Sequence, residues 1–375
     1  MTSGSFSAMA ANVAWGCTAW VFTQHIFPYW KHLWRISCGH WEPGIKAHIE
    51  ALYCFPVKSC GAISLKEATL GPCGIEHDRE WVIVRMPTQS SETAQSSETA
   101  QSSETAQMLT IRDYPAMVLL KPSFDPEGQL ELKTPSGSSI TVVAPSTPRT
   151  VSFLLWRTEV QGFDQGPQVA RFLTEYLGCE DSPVLLLRMP DPQSRQLSQC
   201  SKYLHAPAVA DASDGGGAAK FSDWAPFNVL STTSLRWLNR RCVALQRPCN
   251  YTALHFRPNI VVNLVGGQAF DEEMWDRFSI GGVPFQFLKH TGRCLVPTVD
   301  PLTGVRNKKM EPLTTLKQFR GGVYTFLPDG HADRDKEEAF LAVAARHFPE
   351  TGQKLRVGDE VHVSEFRDNR LWQHS

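Results

Sequence analysis

The chain has 375 residues, enough for two or three domains of ordinary size with substantial cores. Its 37 basic and 38 acidic residues nearly cancel, which excludes a global field that would draw in nucleic acid or another strongly charged partner. Ten cysteines form no CxxC pair and no dense framework, so a disulfide scaffold, a zinc site of recognisable spacing and an iron–sulfur module are set aside in favour of buried thiols in a reducing compartment.

The first 45 residues stand apart. Residues 1–30 carry no Lys, Arg, Asp or Glu, Ala8–Trp30 is rich in Ala, Val, Trp and Phe, and Lys31, Arg35 and Lys46 follow. Such a stretch spans a bilayer as an uncleaved signal-anchor, with Trp20, Tyr29 and Trp30 at the interface and the cations held cytosolic. The alternative is a secretory h-region or an irregular leader, and the missing basic n-region counts against cleavage. From Ile49 the pattern changes to short β-type runs. Ile49–Phe55, Ile63–Leu70, Trp81–Met86, Met117–Leu120, Leu130–Leu132 and Ile140–Val143 read as strands, broken up by Pro115, Pro122, Pro126, Pro135, Pro145 and Pro148. Gln168–Tyr176 reads as a helix with Leu and Phe on one stripe. Among the strands lies Ser90–Gln107, three copies of Ser-Ser-Glu-Thr-Ala-Gln with nothing apolar enough to bury, which is expected to be a disordered insert without chemistry.

A second irregular connection is expected at Asp211–Gly217. Thr232–Arg241 reads as a helix opened by Ser231 or Thr232 as its cap. Ile260–Leu264 and Val283–Leu288 read as strands joined through Gly281-Gly282, and Asp335–His347 as an amphipathic helix with Phe340, Leu341, Val343 and Ala344 inward. Lys354–Val363 reads as a strand–turn–strand that closes a barrel. Many short strands with few helices predict a mainly β fold with some α, of α+β type, built as a barrel or sandwich.

Chemistry concentrates in a few segments. Cys294 lies beside Arg293 and just before a Pro297-Thr298-Val299-Asp300-Pro301 turn. A thiol next to a cation, directed by a turn, suits a soft metal ligand or a nucleophile better than a core filler. Lys58 and Ser59 follow a predicted strand and a Pro turn, placing a cation and a hydroxyl at a rim; the plain alternative is a solvated lysine. Arg79 sits where the charged run His77–Glu80 enters a strand, and its plain alternative is an ion pair with Asp78 or Glu76. Arg257 and Asn259 are two apart at a strand end and so share a face, although Asn259 alone would also pin a turn. Asp223 lies in the loop Phe221–Pro226.

Together, Tyr53–Cys60, Arg79–Trp81, Arg257–Asn259, Arg293–Pro301 and the whole of Gly292–Gly304 resemble the signatures of the MOSC family of molybdenum-cofactor-binding β-barrel proteins. Within it they are most similar to the mitochondrial amidoxime-reducing components and their fungal relatives. The resemblance covers about residues 46–365, apart from the repeat and the 335–347 segment. It implies a leader or membrane anchor at 1–45, a MOSC N-terminal β-rich domain at 46–180 and a MOSC β-barrel at 181–375. It also implies a bound molybdenum cofactor, Mo-molybdopterin, with Cys294 as catalytic residue and metal ligand. Lys58, Ser59, Arg79, Asp223, Arg257, Asn259, Thr291 and Arg293 would hold that cofactor, and Cys60 would lie behind them. The remaining cysteines are read as packing residues.

The activity that the resemblance implies is reduction of N-hydroxylated substrates: amidoximes, hydroxylamines and N-oxides. No haem, flavin or dinucleotide motif is present in the chain, so electrons would come from cytochrome b5 and its NADH-dependent reductase. The implied location is the mitochondrial outer membrane facing the cytosol, or else the cytoplasm. The chain departs from the animal members at Trp224 and Ala225, where they carry small hydroxylated residues, and this bears on substrate range. A non-catalytic cofactor carrier or sulfur-delivery module is the other reading; the aminotransferase-type domain that accompanies such modules has no room in the first 45 residues. A β-barrel with a structural Cys294 is the plainest.

Overall fold

Alternating apolar and polar residues make the first strand, and a single irregularity in it shows how strictly the period is used. β1 (Lys46–Cys54) buries Ala47 and Ile49, then Leu52 and Cys54. The phase shifts at a bulge between Ile49 and Ala51, which keeps both pairs on the inner face. A computed structural model describes residues 46–87, 105–156, 158–190, 194–196, 218–321, 338–348 and 352–366.

Beyond β1 the chain builds a smaller β unit. It contains β2 (Trp81–Arg85), β3 (Gln107–Met108), β4 (Thr150–Leu155), β5 (Thr158–Asp164), the helix α1 (Pro167–Leu177) and β6 (Val184–Arg188), with the sheet ordered β4-β5-β6-β2-β3. A three-stranded meander, Lys121–Phe124, Leu130–Lys133 and Ser139–Thr141, lies beside it. α1 begins at Pro167, whose missing N–H costs nothing in a first turn, and ends at Gly178 in the left-handed region. Two expectations are corrected here. Met117–Leu120 is not a strand: Pro115 opens a 3-10 turn, Pro115–Leu119, that buries Met117 and Val118. The end of the repeat is part of the sheet, not a disordered insert, since Ala106 is 2% exposed and bridges Phe153, and Gln107 pairs with Arg85. The rest of the repeat, 90–104, lies outside the described residues, as does Asp211–Gly217.

The larger unit is a closed barrel. Its remaining elements are β7 (Phe227–Ser231), α2 (Thr232–Ala244), β8 (Ile260–Val265), β9 (Trp275–Ile280), β10 (Val283–Arg293), α3 (Leu313–Arg320), β11 (Ala339–His347) and β12 (Glu360–Phe366). Seven strands close in the order β1-β8-β7-β11-β10-β9-β12 and back to β1. Only β7 and β8 are parallel neighbours, and α2 supplies the crossover that a parallel pair requires. Ser231 caps α2, its Oγ accepting from the Ser234 N–H at 3.0 Å. The interior is filled by Ile49, Phe227, Ile260, Phe278, Phe285 and their neighbours. Gly281-Gly282 form the tight turn between β9 and β10, not a link from β8.

Over Ala339–His347 the expected helix is a strand instead. All nine residues of β11 are buried, with β7 on one side and β10 on the other. Ala339, Leu341 and Ala342 pack outward against α2 and α3, while Val343 and Ala345 face the barrel interior. The switch of faces falls at Ala342, whose φ of 74° kinks the strand. A strand covered on both faces carries no polar alternation, so its apolar run resembles a buried helix. Residues 335–337 lie outside the described residues. Within them no helix is long and apolar enough to cross a membrane, and the anchor expected at 1–45 lies outside them too.

Candidate functional site

The ends of four barrel strands meet at one mouth, where the smaller unit covers them. Lys58 and Ser59 follow β1, Asp223 precedes β7, Arg257 and Asn259 precede β8, and Thr291, Arg293 and Cys294 end β10. Arg79 comes from the turn into β2. All nine residues singled out from the sequence line the same cleft. Four non-glycine lining residues have left-handed backbone: Ser59 (φ 71°), Arg79 (φ 49°), Trp156 (φ 62°) and Arg257 (φ 51°). Each such residue costs on the order of 1 kcal/mol, and such strain concentrates where side chains must be aimed.

Arg79 and Arg257 form the core of the site. Both guanidinium groups lie over the ring of Phe55, at 4.4 and 4.2 Å from its centroid, so a buried π face accommodates two like charges. Arg79 is committed on three sides: to Asp78, to Asn259 Oδ1 at 3.0 Å and to the Arg257 carbonyl at 3.1 Å. The Arg257 guanidinium makes a single hydrogen bond to the described residues, from Nη1 to the Cys60 carbonyl at 2.6 Å. Burial and the neighbouring Arg79 charge push it down to about 9. A half-buried guanidinium with no carboxylate partner among the described residues, and with most of its five N–H donors uncommitted, is prepared for an anion. Asn259 is 1% exposed, and its amide donates to the Tyr53 carbonyl at 3.3 Å while accepting from Arg79. Its geometry is that of a support for Arg79.

Lys58 and Asp223 form an ion pair. Lys58 Nζ also donates to the Phe221 carbonyl at 2.9 Å, and burial lowers its pKa. Burial opposes ionisation of Asp223 too, but the Lys58 charge and hydrogen bonds from Lys58 and Trp156 bring it down to about 2. The loop carrying Asp223 is held from below. Glu80 is 1% exposed and takes Arg188 at 2.6 Å and Lys220, the Phe221 N–H donates to the Arg79 carbonyl at 3.0 Å, and Arg195 Nε donates to the Lys220 carbonyl at 2.9 Å.

At the end of β10, Arg293 donates to the carbonyls of Leu341 (2.7 Å) and Phe256 (3.1 Å) and to Asn228 Oδ1 (3.2 Å). Burial lowers it to about 9, with Cys294 acting in the opposite direction. Its guanidinium ties the β10 end to β11 and to the segment before β8, and this fixes where the next residue, Cys294, stands. Thr291 Oγ1 donates to the same Asn228 oxygen at 3.2 Å. Asn228, which sequence reading passed over, is therefore a hub: its Nδ2 also donates to the Phe256 carbonyl at 2.9 Å. A polar residue interrupting the apolar run at β7 is the one local sign of it. Arg112, Trp156 and His255 also line the cleft and were missed, because only the fold brings them there. Trp156 donates from Nε1 to Asp223 Oδ1 at 3.1 Å and lies under the Arg112 guanidinium at 4.4 Å.

The donor set is lopsided. Lys58, Arg79, Arg112, Arg257 and Arg293 line the cleft against one carboxylate, Asp223, and one cysteine, Cys294. Buried Ser222 Oγ, beside Asp223, has no hydrogen-bond partner among the described residues. Among the described residues no three His, Cys, Asp or Glu side chains gather as a metal cage. A metal at this cleft would take one thiolate from the chain and its other donors from a carrier group. Such a group with an anionic tail fits the cations, the orphan hydroxyl and the single sulfur.

Comparison with known proteins agrees with this composition. A family model described as the MOSC N-terminal beta barrel domain matches residues 46–180, and one described as the MOSC domain matches residues 217–362. Mitochondrial amidoxime reducing component 2 of Rattus norvegicus is 30% identical over 280 residues, 72% of this chain and 72% of its own length. Mitochondrial amidoxime-reducing component 1 of Mus musculus is 29% identical over 325 residues, 84% of this chain and 82% of its own length. Component 1 of Homo sapiens is 28% identical over 278 residues, 72% of each chain.

Proposed function

Since the chain belongs to the MOSC-domain family that includes the mitochondrial amidoxime-reducing components, we propose that its cleft holds a molybdenum cofactor and reduces N-hydroxylated compounds. The observation that carries this reading is the pairing in one cleft of Cys294 with the uncommitted guanidinium of Arg257. Arg257, Arg79, Lys58 and Ser59 would hold the cofactor's phosphate, Ser222 and Thr291 its polar edge, and Cys294 Sγ the metal. When bound, the cofactor supplies a metal that exchanges two electrons with the substrate.

The chain's residues would then bind, orient and shield. Phe55, Asn259 and Asp78 keep the two arginines aimed, and Arg293 and Asn228 fix the strand end that carries Cys294. Trp156 and Trp224 wall the entrance and keep water from the reacting nitrogen. In the overall reaction an amidoxime takes up two electrons and two protons, its N–O bond breaks, and an amidine and water leave. Cytochrome b5 and its NADH-dependent reductase are the proposed electron source, and the outer mitochondrial membrane the proposed location.

The test measures molybdenum, pterin and benzamidoxime reduction with reduced cytochrome b5, in the wild type and in Cys294→Ser. The wild type is expected to carry the cofactor and turn over, and the variant to lose reduction. Full activity with bound molybdenum in Cys294→Ser would sink the metal-ligand role. A wild type that binds pterin but reduces nothing would favour a carrier.

A further inference from the structure

Charge is balanced over the whole chain but not over the helical side of the barrel. Residues 232–250 and 301–320, which hold α2, the loop after it and α3, carry four and five basic side chains and a single acid, Glu311. Glu311 is 2% exposed and pairs with Arg247 at 3.2 Å, so neither segment puts an acid on the surface. Arg236 and Arg240 are exposed one turn apart on α2, and Val243 continues their stripe. Lys308 and Lys309 are exposed just before α3, with no ion pair among the described residues. Arg247 joins the two parts, since its Nη1 also donates to Thr315 Oγ1 of α3 at 2.9 Å.

The lysine pair is pinned to the outer side of the cleft wall. The Asn307 N–H donates to the Thr298 carbonyl at 2.7 Å, the Lys309 N–H to Asn307 Oδ1 at 2.9 Å, and Thr314 Oγ1 to the Lys309 carbonyl at 2.9 Å. Thr298 directly follows Val296 and Pro297, which line the cleft together with Cys294. Inward, Leu238 and Cys242 of α2 and Leu313 and Leu316 of α3 form one apolar layer, and Leu295, the neighbour of Cys294, packs against it. The helices therefore present cations to solvent and touch the Cys294 segment from behind.

We propose that this basic face docks an acidic one-electron carrier protein, which delivers electrons through the wall behind Cys294 while the cleft mouth stays open to substrate. The inference rests on reading Cys294 as the ligand of a redox metal. Two successive dockings oxidise two carriers and supply the two electrons that reduction of one amidoxime consumes, its two protons coming from solvent. A carrier that must leave after each electron needs little contact area and uses charge to speed and orient its encounters. The exposed large apolar residues of the two segments are Val243, Leu302 and Val305. They suffice for a small contact, but no exposed aromatic accompanies them to anchor the face in a lipid interface.

The experiment measures binding of the soluble haem domain of cytochrome b5, an acidic carrier, to the full-length protein by calorimetry. Protein comes from a cofactor-producing host and from a host without pterin synthesis. Lys308→Glu with Lys309→Glu reverses two charges on the face, and Lys121→Glu with Lys133→Glu reverses two exposed charges on the meander of the smaller unit. Wild-type affinity is expected to fall at least about tenfold between about 0.01 and 0.15 M salt. At low salt the face variant should bind at least about tenfold more weakly, and the meander variant within about twofold of the wild type. In turnover the face variant should raise the KM for the carrier and keep the wild-type rate with dithionite as reductant. No binding at low salt, binding indifferent to salt, or equal losses in the two variants would overturn the proposal. So would phosphatidylserine vesicles that hold the wild type and release the face variant while the haem domain binds both alike, which would give the face to an anionic lipid surface. Binding is read on cofactor-free protein as well, so a chain that docks the carrier but reduces no amidoxime would refute the proposed function and leave the docking face standing.

Discussion

Arg257→Met should stabilise the cofactor-free protein while weakening its hold on the cofactor. The fall of Arg257 from 12.5 to about 9 corresponds to roughly 5 kcal/mol against the charged form, taken as an upper figure. Methionine removes that penalty and fills a similar volume over Phe55. It forfeits the hydrogen bond to the Cys60 carbonyl, worth about 1 kcal/mol, and the contact with the Phe55 ring, worth about 1–2 kcal/mol. The net is a gain of roughly 2 kcal/mol, or several degrees in Tm. In the loaded protein two or more charge-assisted hydrogen bonds to an anion disappear, about 3 kcal/mol or more, so cofactor retention should fall on the order of a hundredfold. Thermal melts of protein from a pterin-deficient host, with pterin retention on dialysis of loaded protein, measure the two effects. A cofactor-free variant that melts below the wild type, or a loaded one that keeps its pterin, would refute the assignment of Arg257 as an anion clamp paid for in stability.

Two buried groups should give opposing pH dependences. Burial among the rings of Phe227 and Phe285 holds His347 to about 4 against 6.5, so the unfolded chain takes up its proton first and acidification destabilises. Burial and then Glu273 raise Glu272 to about 7 against 4.5, so the native state takes up its proton first and acidification stabilises. Each is worth roughly 2 kcal/mol between pH 7 and 5, and in the wild type they nearly cancel. Urea unfolding of Glu272→Gln should lose about 2 kcal/mol over that interval, and His347→Phe should gain as much; parallel curves for both variants would contradict these positions. In β5, a Cβ added at Gly162 would lie 2.7 Å from Leu187 Cβ, so Gly162→Ala should cost about 1–3 kcal/mol in the same assay, and no loss would show that the two strands can part.

Local chemistry was legible in the sequence wherever a residue's neighbours along the chain decide its state. Ser231 as a cap, α1 from Gln168–Tyr176 and the alternating run into β1 are of this kind. So were Lys58-Ser59 and Arg293-Cys294, because the pairs are contiguous and stand at strand ends. β11 was not legible, since burial on both faces erases the alternation that marks a strand. Nor was the part of β1, which precedes the smaller unit in the chain yet closes the barrel between β8 and β12.

The sequence by itself determined which side chains its local patterns could offer: the four cations Lys58, Arg79, Arg257 and Arg293, the Cys294 thiol, the Asp223 carboxylate and the turns that end their strands. Only the tertiary structure decided what each one does. Asn259 and Arg293 line the cleft as expected from the sequence, and the fold adds their partners, Arg79 for one and the Leu341 and Phe256 carbonyls for the other, 37 to 180 residues away in the chain. Asn228, Trp156 and Arg112 enter the site through contacts of the same long range. A hydrogen bond is satisfied by whatever the fold brings within about 3 Å, and no local pattern records that partner.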